Sequence, residues 1–208
     1  MLNPDRFLIA FDRALRTVSA QARSSRPHPA AHLATPELSA QEQRLSAGLM
    51  RVNHVGEICA QALYDAQSAF SHTPAVASQL QHSCTEEEDH LAWTAERLKE
   101  LNSHTSFMNP FWYAGAYACG VLAAKCGDAA SLGFVVETER QVEAHLAGHL
   151  NRLPTTDLKS RAIVEQMRVD EIAHGAAAQS LGASDMPAPV KLAMKAMAKV
   201  MTSTAYYI

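Results

Sequence analysis

Beyond residue 39, apolar residues recur at intervals of three and four and nowhere alternate over a useful length, so the pattern predicts helices and no sheet. Ser39 with Glu42 makes a capping box that opens a helix reaching about residue 72. Thr73-Pro74 opens a second to about residue 103, and Asn109-Pro110 a third, strongly apolar one to about residue 125. A fourth is expected from about 128 to 153, a fifth from about 156 to 181, and "MPAPV", beginning at Met186, starts a sixth. Ahead of these, "MLNPDRFLIAFDRALRTVSAQARSS" reads as a short amphipathic helix: Asp5 and Asp12 break the basic character of a transit peptide, and "LIAF" is too short for a signal-peptide core. Residues 21–38 carry three prolines and two serines without apolar periodicity and read as a linker. The expected organisation is a helix and Pro-rich linker over residues 1–38 and one helical domain over 39–208. The fold class is all-α: an antiparallel four-helix bundle with additional apolar and amphipathic helices.

Composition narrows the possible functions. With 208 residues, 48% of them hydrophobic and 19% charged, one globular domain is the default. A net charge of −3 leaves no general basic footprint, so nucleic acid is not an expected partner. The four cysteines, Cys59, Cys84, Cys119 and Cys126, form no C-x-x-C and read as reduced thiols of a cytoplasmic protein. No unbroken run of ~20 apolar residues is present, so no membrane crossing is expected.

The helix stripes carry polar residues where only apolar ones are needed. On the second helix the inward stripe runs Leu80, Cys84, Glu87, Leu91, Thr94, Leu98, Leu101, with His90 beside Glu87 on the same face. The fifth repeats this with Met167, Glu171, His174, Ala178 and Leu181, giving a second E-x-x-H. The helix before each pair also turns a glutamate inward: Glu57 with Met50, Asn53, Ala60 and Tyr64, and Glu139 with Leu132, Val135, Val142 and Leu146. Glu57 precedes Glu87 by 30 residues and Glu139 precedes Glu171 by 32, an internal echo that favours Glu139 over Glu143. A single E-x-x-H in an acidic run such as "EEEDHLAW" is ordinarily a solvated face; two on separate helices are not.

Four buried carboxylates repel one another unless positive charge sits among them, and two divalent cations cancel them. Mixed carboxylate and imidazole donors suit iron or manganese. A glutamate from each of two helices and an E-x-x-H from each of two others is the known arrangement of ferritin-like di-iron bundles. Glu86 and Asp170 lie four residues before His90 and His174, where each is expected to accept the N–H of its own helix's imidazole; the alternative is a surface acid. His54, His145 and His149 read as packed histidines, with His145 the foremost alternative ligand.

Together, "LMRVNHVGEICAQALYD", "EEEDHLAW", "GFVVETERQVEAHL" and "MRVDEIAHG" closely resemble the demethoxyubiquinol hydroxylase family of ubiquinone biosynthesis in its bacterial form, from about residue 40 onward. The family's six metal ligands fall on Glu57, Glu87, His90, Glu139, Glu171 and His174. A tyrosine that follows the family's histidine in some members is replaced here by Leu146, so no role is carried over for it. The resemblance implies a di-iron monooxygenase with two iron ions, acting with dioxygen on a polyprenylated demethoxyubiquinol. It implies a place on the cytoplasmic side of the bacterial inner membrane, in contact with lipid and with other ubiquinone-biosynthesis proteins as candidate partners. The six ligands alone also fit a ferritin-like iron store, a peroxide-scavenging protein or a non-enzymatic membrane-surface scaffold.

Two segments offer surfaces for lipid. "FMNPFWYAGAYACGVLAA" is apolar with clustered aromatics. The last helix sorts Val190, Met194, Met197 and Met201 to one side and Lys191, Lys195 and Lys199 to a neighbouring one, which fits either an interfacial helix or an amphipathic helix packed on the bundle.

Overall fold

The computed structural model describes residues 4–19, 22–35 and 37–208, which hold seven α-helices and no strand. These are α1 (Pro4–Val18), α2 (Ala40–Phe70), α3 (Pro74–Glu100), α4 (Asn109–Lys125), α5 (Asp128–Arg152), α6 (Leu158–Ser180) and α7 (Ala188–Ala205). Each start follows from local chemistry. The Ser39 side chain accepts from the Glu42 amide while the Glu42 carboxylate takes the Ser39 N–H at 2.8 Å, completing the expected capping box. Proline stands in the first turn of α3, α4 and α7, where its missing N–H costs nothing. α6 begins slightly later than expected, because Asp157 rather than Thr156 caps it, accepting from the Ser160 amide at 3.1 Å.

Helices α2 and α3 form one hairpin and α5 and α6 another; α3 packs on α6 and α2 on α5, which closes a four-helix bundle. Asp128, at the start of α5, accepts the His72 and Thr73 amides at 2.8 and 2.9 Å and so ties the first hairpin's turn to the second hairpin. The long crossover between hairpins is α4, which lies along α2. Gly120 permits that approach, since a Cβ there would meet the Ala66 Cβ at 2.8 Å and the Leu63 carbonyl at 2.9 Å.

The bundle core is in two apolar parts. Toward one end Leu49, Met50, Trp93, Leu98, Leu146, Ile163 and Met167 pack together; toward the other, Tyr64, Leu80, Leu132, Val135 and Ala178 do. All four bundle helices contribute to both parts. The polar stripe positions at 57, 87, 90, 139, 171 and 174 fall between them along each helix, so the apolar layers close the centre from both ends.

The Pro-rich segment is more than a spacer. Ala30 is buried, and Ser24, Ser25 and Arg26 bind α3 side chains, so this stretch lies as a strap across the bundle. Two stripe assignments change. Leu181, expected to be inward, is 38% exposed where α6 ends. On α7 the methionines do not face outward together: Met194 is buried and Met201 packs against the bundle, whereas Leu192, Met197 and Val200 are exposed. The helix carries apolar residues on two sides, and periodicity alone does not say which one the bundle takes. No helix among the described residues is long and apolar enough to cross a membrane.

Candidate metal centre

Glu57 on α2, Glu87 and His90 on α3, Glu139 on α5 and Glu171 and His174 on α6 converge in the middle of the bundle, none more than 4% exposed. Their donor atoms form two groups, Glu57, Glu87, His90 and Glu171, and Glu87, Glu139, Glu171 and His174, with the atoms of each group within 4.8 Å of one another. Glu87 and Glu171 belong to both. The E-x-x-H spacing produces this: three residues along a helix bring the imidazole back over the carboxylate. His90 Nδ1 lies 3.0 Å from Glu87, 3.6 Å from Glu57 and 3.7 Å from Glu171. His174 Nδ1 lies 3.1 Å from Glu87 and 3.3 Å from Glu171.

The imidazoles are held from behind by carboxylates, but in the crossed sense. His90 Nε2 donates to Asp170 on α6 at 2.8 Å, and His174 Nε2 donates to Glu86 on α3 at 2.9 Å. The expected pairing within each helix is therefore wrong. Each ring uses Nδ1 for its own helix's glutamate, so Nε2 points away toward the facing helix, where the corresponding acid waits. Because a carboxylate only accepts, Nε2 carries the hydrogen in both rings and leaves Nδ1 to face the glutamates.

Electrostatics match a cation site. Burial, then repulsion from Glu87, pushes the Glu57 carboxyl well above the usual range; burial and the charges of Glu171 and Glu87 do the same to Glu139. Against its own burial, Glu87 is held well below that range by His90 and by hydrogen bonds within the cluster. His174 is also buried, yet Glu171 and Glu87 raise it to about 12. Protons thus balance the carboxylates, each on a lone pair that a metal ion would take. Glu87 Oε1 has no aligned hydrogen-bond donor despite complete burial, as suits an oxygen whose natural neighbour is a cation. Four carboxylates and two neutral imidazoles offset two divalent ions, so the donor set fits a dinuclear centre.

Other candidates lie elsewhere. Glu143 points to Arg168 at 3.1 Å on the bundle's outside, and His145 lies against His149 with ring centroids 4.0 Å apart and the planes tilted by 59°. His54 is fully buried with neither ring nitrogen hydrogen-bonded. Three residues of the site were not marked as functional by periodicity. Periodicity places Tyr64 only on the core stripe, yet its hydroxyl donates to Glu139; its position two turns beyond Glu57 is the available signal. Asp89, next to His90, is buried and accepts from Ser25 N and Arg26 Nε, both at 2.6 Å. Arg26 sits in the aperiodic strap and left no signal.

Four helices that each turn an acid into one buried centre, two of them adding a histidine, define a ferritin-like carboxylate protein. The chain belongs to the family described as "Ubiquinone biosynthesis protein COQ7", which matches residues 44–205. It is 61% identical over 204 residues to the 3-demethoxyubiquinol 3-hydroxylase of Herminiimonas arsenicoxydans, covering 98% of this chain and 97% of that one. The protein of the same name from Janthinobacterium sp. (strain Marseille) is 61% identical over 205 residues, with 99% of both chains covered. That of Burkholderia pseudomallei (strain 668) is 56% identical, with 98% of this chain and 99% of the other covered.

Proposed function

We propose that this chain is a 3-demethoxyubiquinol 3-hydroxylase, placing one oxygen atom of dioxygen on the quinol ring of a polyprenylated substrate at a di-iron centre. Glu57, Glu87, His90, Glu139, Glu171 and His174 are the residues that would hold the two ions, Glu87 and Glu171 belonging to both donor groups. The observation that carries this is the interlocking of two four-donor groups in a buried centre, in a chain of this family. Two reduced irons, when bound, supply the electrons and the binding site that dioxygen chemistry requires. The chain's own part is threefold. The apolar layers on either side keep bulk water from the reacting atoms. Asp170 and Glu86 fix which nitrogen each imidazole turns inward. Tyr64 holds Glu139 in place by its hydrogen bond. In balance, the ring C–H becomes C–OH, the second oxygen atom leaves as water with two protons taken from solvent, and an external reductant provides two electrons.

A polyprenylated quinol resides in lipid, so we assign the chain to the cytoplasmic surface of the bacterial inner membrane. The exposed apolar residues of α7, with Phe107 and Phe111 at the start of α4, support such a contact.

Labelled dioxygen, supplied with a reductant and a demethoxyquinol, should leave one labelled atom on the ring, and labelled water should leave none. Glu139→Ala should abolish product, because it is the one carboxylate that belongs to its donor group alone, Glu87 and Glu171 being common to both groups. Glu143→Ala should retain near-parent turnover and lose only a half-exposed ion pair, about 1 kcal/mol or less. Labelled product from Glu139→Ala, or none from the parent, would refute the assignment; iron uptake without quinol oxidation would point to storage.

A further inference from the structure

One guanidinium reaches the carboxylates behind both histidines. Arg26 Nη2 donates to Asp170 Oδ2 at 2.9 Å, the same oxygen that accepts from His90 Nε2. Its Nη1 lies 3.8 Å from Glu86 Oε1, while the other oxygen of that carboxylate accepts from His174 Nε2. Its Nε donates to Asp89 at 2.6 Å. The group is held over the Trp93 ring, 5.0 Å from the centroid, and Trp93 Nε1 in turn donates to Ser24 Oγ at 2.9 Å. Three acids from α3 and α6 are thus gathered by one residue of the strap, far from all of them in sequence.

We propose that Arg26 is a positioning residue for both imidazole ligands, acting through Asp170 and Glu86, and that the strap thereby sets the affinity and coordination geometry of the dinuclear centre. This rests on the assignment of the six residues as metal ligands. A carboxylate behind an imidazole fixes the ring and makes its inward nitrogen a stronger donor. A guanidinium bound to that carboxylate fixes the carboxylate in turn and drains part of its charge, and here it does so on both sides of the centre. Without it, Asp170 keeps only Gln166 and His90, and Asp89 loses its closest side-chain donor on the buried side of the strap. Lysine would not replace it, because an ammonium is a point charge without the fork that spans two or three acids.

The test uses the full chain and cobalt(II) alone as the probe, with metal content, dissociation constant and visible ligand-field bands measured for the parent, Arg26→Gln and Arg26→Lys. Helical circular dichroism and the thermal midpoint of the metal-free proteins are recorded alongside. The parent should bind two cobalt ions. Arg26→Gln should weaken binding about 10- to 100-fold, as loss of an orienting contact behind a ligand does, and alter the ligand-field bands. Arg26→Lys should fall between the two. If Arg26→Gln lowers the thermal midpoint but leaves affinity and spectrum at parent values, Arg26 is only a latch for the strap and the positioning role is overturned. If the parent itself takes up no cobalt, the ligand assignment fails, and the positioning role with it.

Discussion

Glu86, Glu87, Glu88 and Asp89 are consecutive, so a helix aims successive side chains roughly 100° apart and each meets a different environment. Glu87 enters the buried carboxylate–imidazole cluster, Glu86 reaches across to His174, Asp89 anchors the strap, and Glu88 is exposed. A run that resembles a solvated acidic face is therefore exposed only at Glu88 and partly so at Glu86. His54 shows the opposite case, a polar residue that its surroundings do not serve. It is fully buried without a hydrogen-bond partner, and burial pushes its pKa from 6.5 down to about 3. Between these values the unfolded chain binds a proton that the folded one refuses, so folding stability falls as pH drops from 6.5 toward 3. His54→Leu should remove up to about 1.4 kcal/mol per pH unit of that dependence. Urea unfolding of parent and variant at about pH 7 and about pH 5 checks it: the variant should gain on the parent at the lower pH. Equal differences at both pH values would mean that His54 is charged or hydrated in the folded protein.

Between elements, the junction of α3 with the start of α6 holds a buried ion pair, with Lys159 and Glu100 at 2.7 Å beside it. Arg97, 2% exposed, donates to Asp157 at 2.8 Å and to Ser160 Oγ at 2.9 Å, while Asp157 also caps α6. Removing one partner leaves a buried charge without compensation, so Arg97→Met should cost about 3–5 kcal/mol. Replacing both partners, Arg97→Met with Asp157→Asn, should cost less than the first change alone, because asparagine retains the cap without the charge. Chemical denaturation of the two variants separates these outcomes; a double variant less stable than Arg97→Met would show that the charge of Asp157 is needed in its own right. The same junction fixes the height of Glu171 and His174 relative to Glu87 and His90, so the metal-binding capacity of Arg97→Met should fall with its stability.

For the whole molecule, α7 reconciles two meanings of one amphipathic pattern. Met194 and Met201 face the bundle, and Leu192, Met197 and Val200 face out beside Lys195 and Lys199. Lys191 is less free, lying 3.8 Å from Glu137. Flotation with anionic liposomes at low salt should therefore weaken in a Lys195→Glu/Lys199→Glu variant, since each basic residue at such a surface contributes about 1 kcal/mol. Leu192→Asp with Val200→Asp should weaken flotation further without lowering the thermal midpoint, because both side chains are already exposed. Undiminished flotation of both variants would move the contact away from α7, to the exposed Phe107 and Phe111.

The helices, their caps, the bundle class and the candidate ligands are legible along the chain, because they depend on spacing within it. A capping box closes within four residues, and a glutamate and histidine three apart share a face in any helix. That Glu139 and not Glu143 turns inward is legible for the same reason, through the matched separations in the two hairpins. Packing alone sets the groups whose positions depend on how two elements meet. The crossed pairing of Asp170 with His90 and Glu86 with His174 requires the packing of α3 on α6. The outward side of α7 is whatever its contacts with α2 and α5 leave uncovered. Arg26 comes from a segment with no period, and its three acids are assembled by the fold alone.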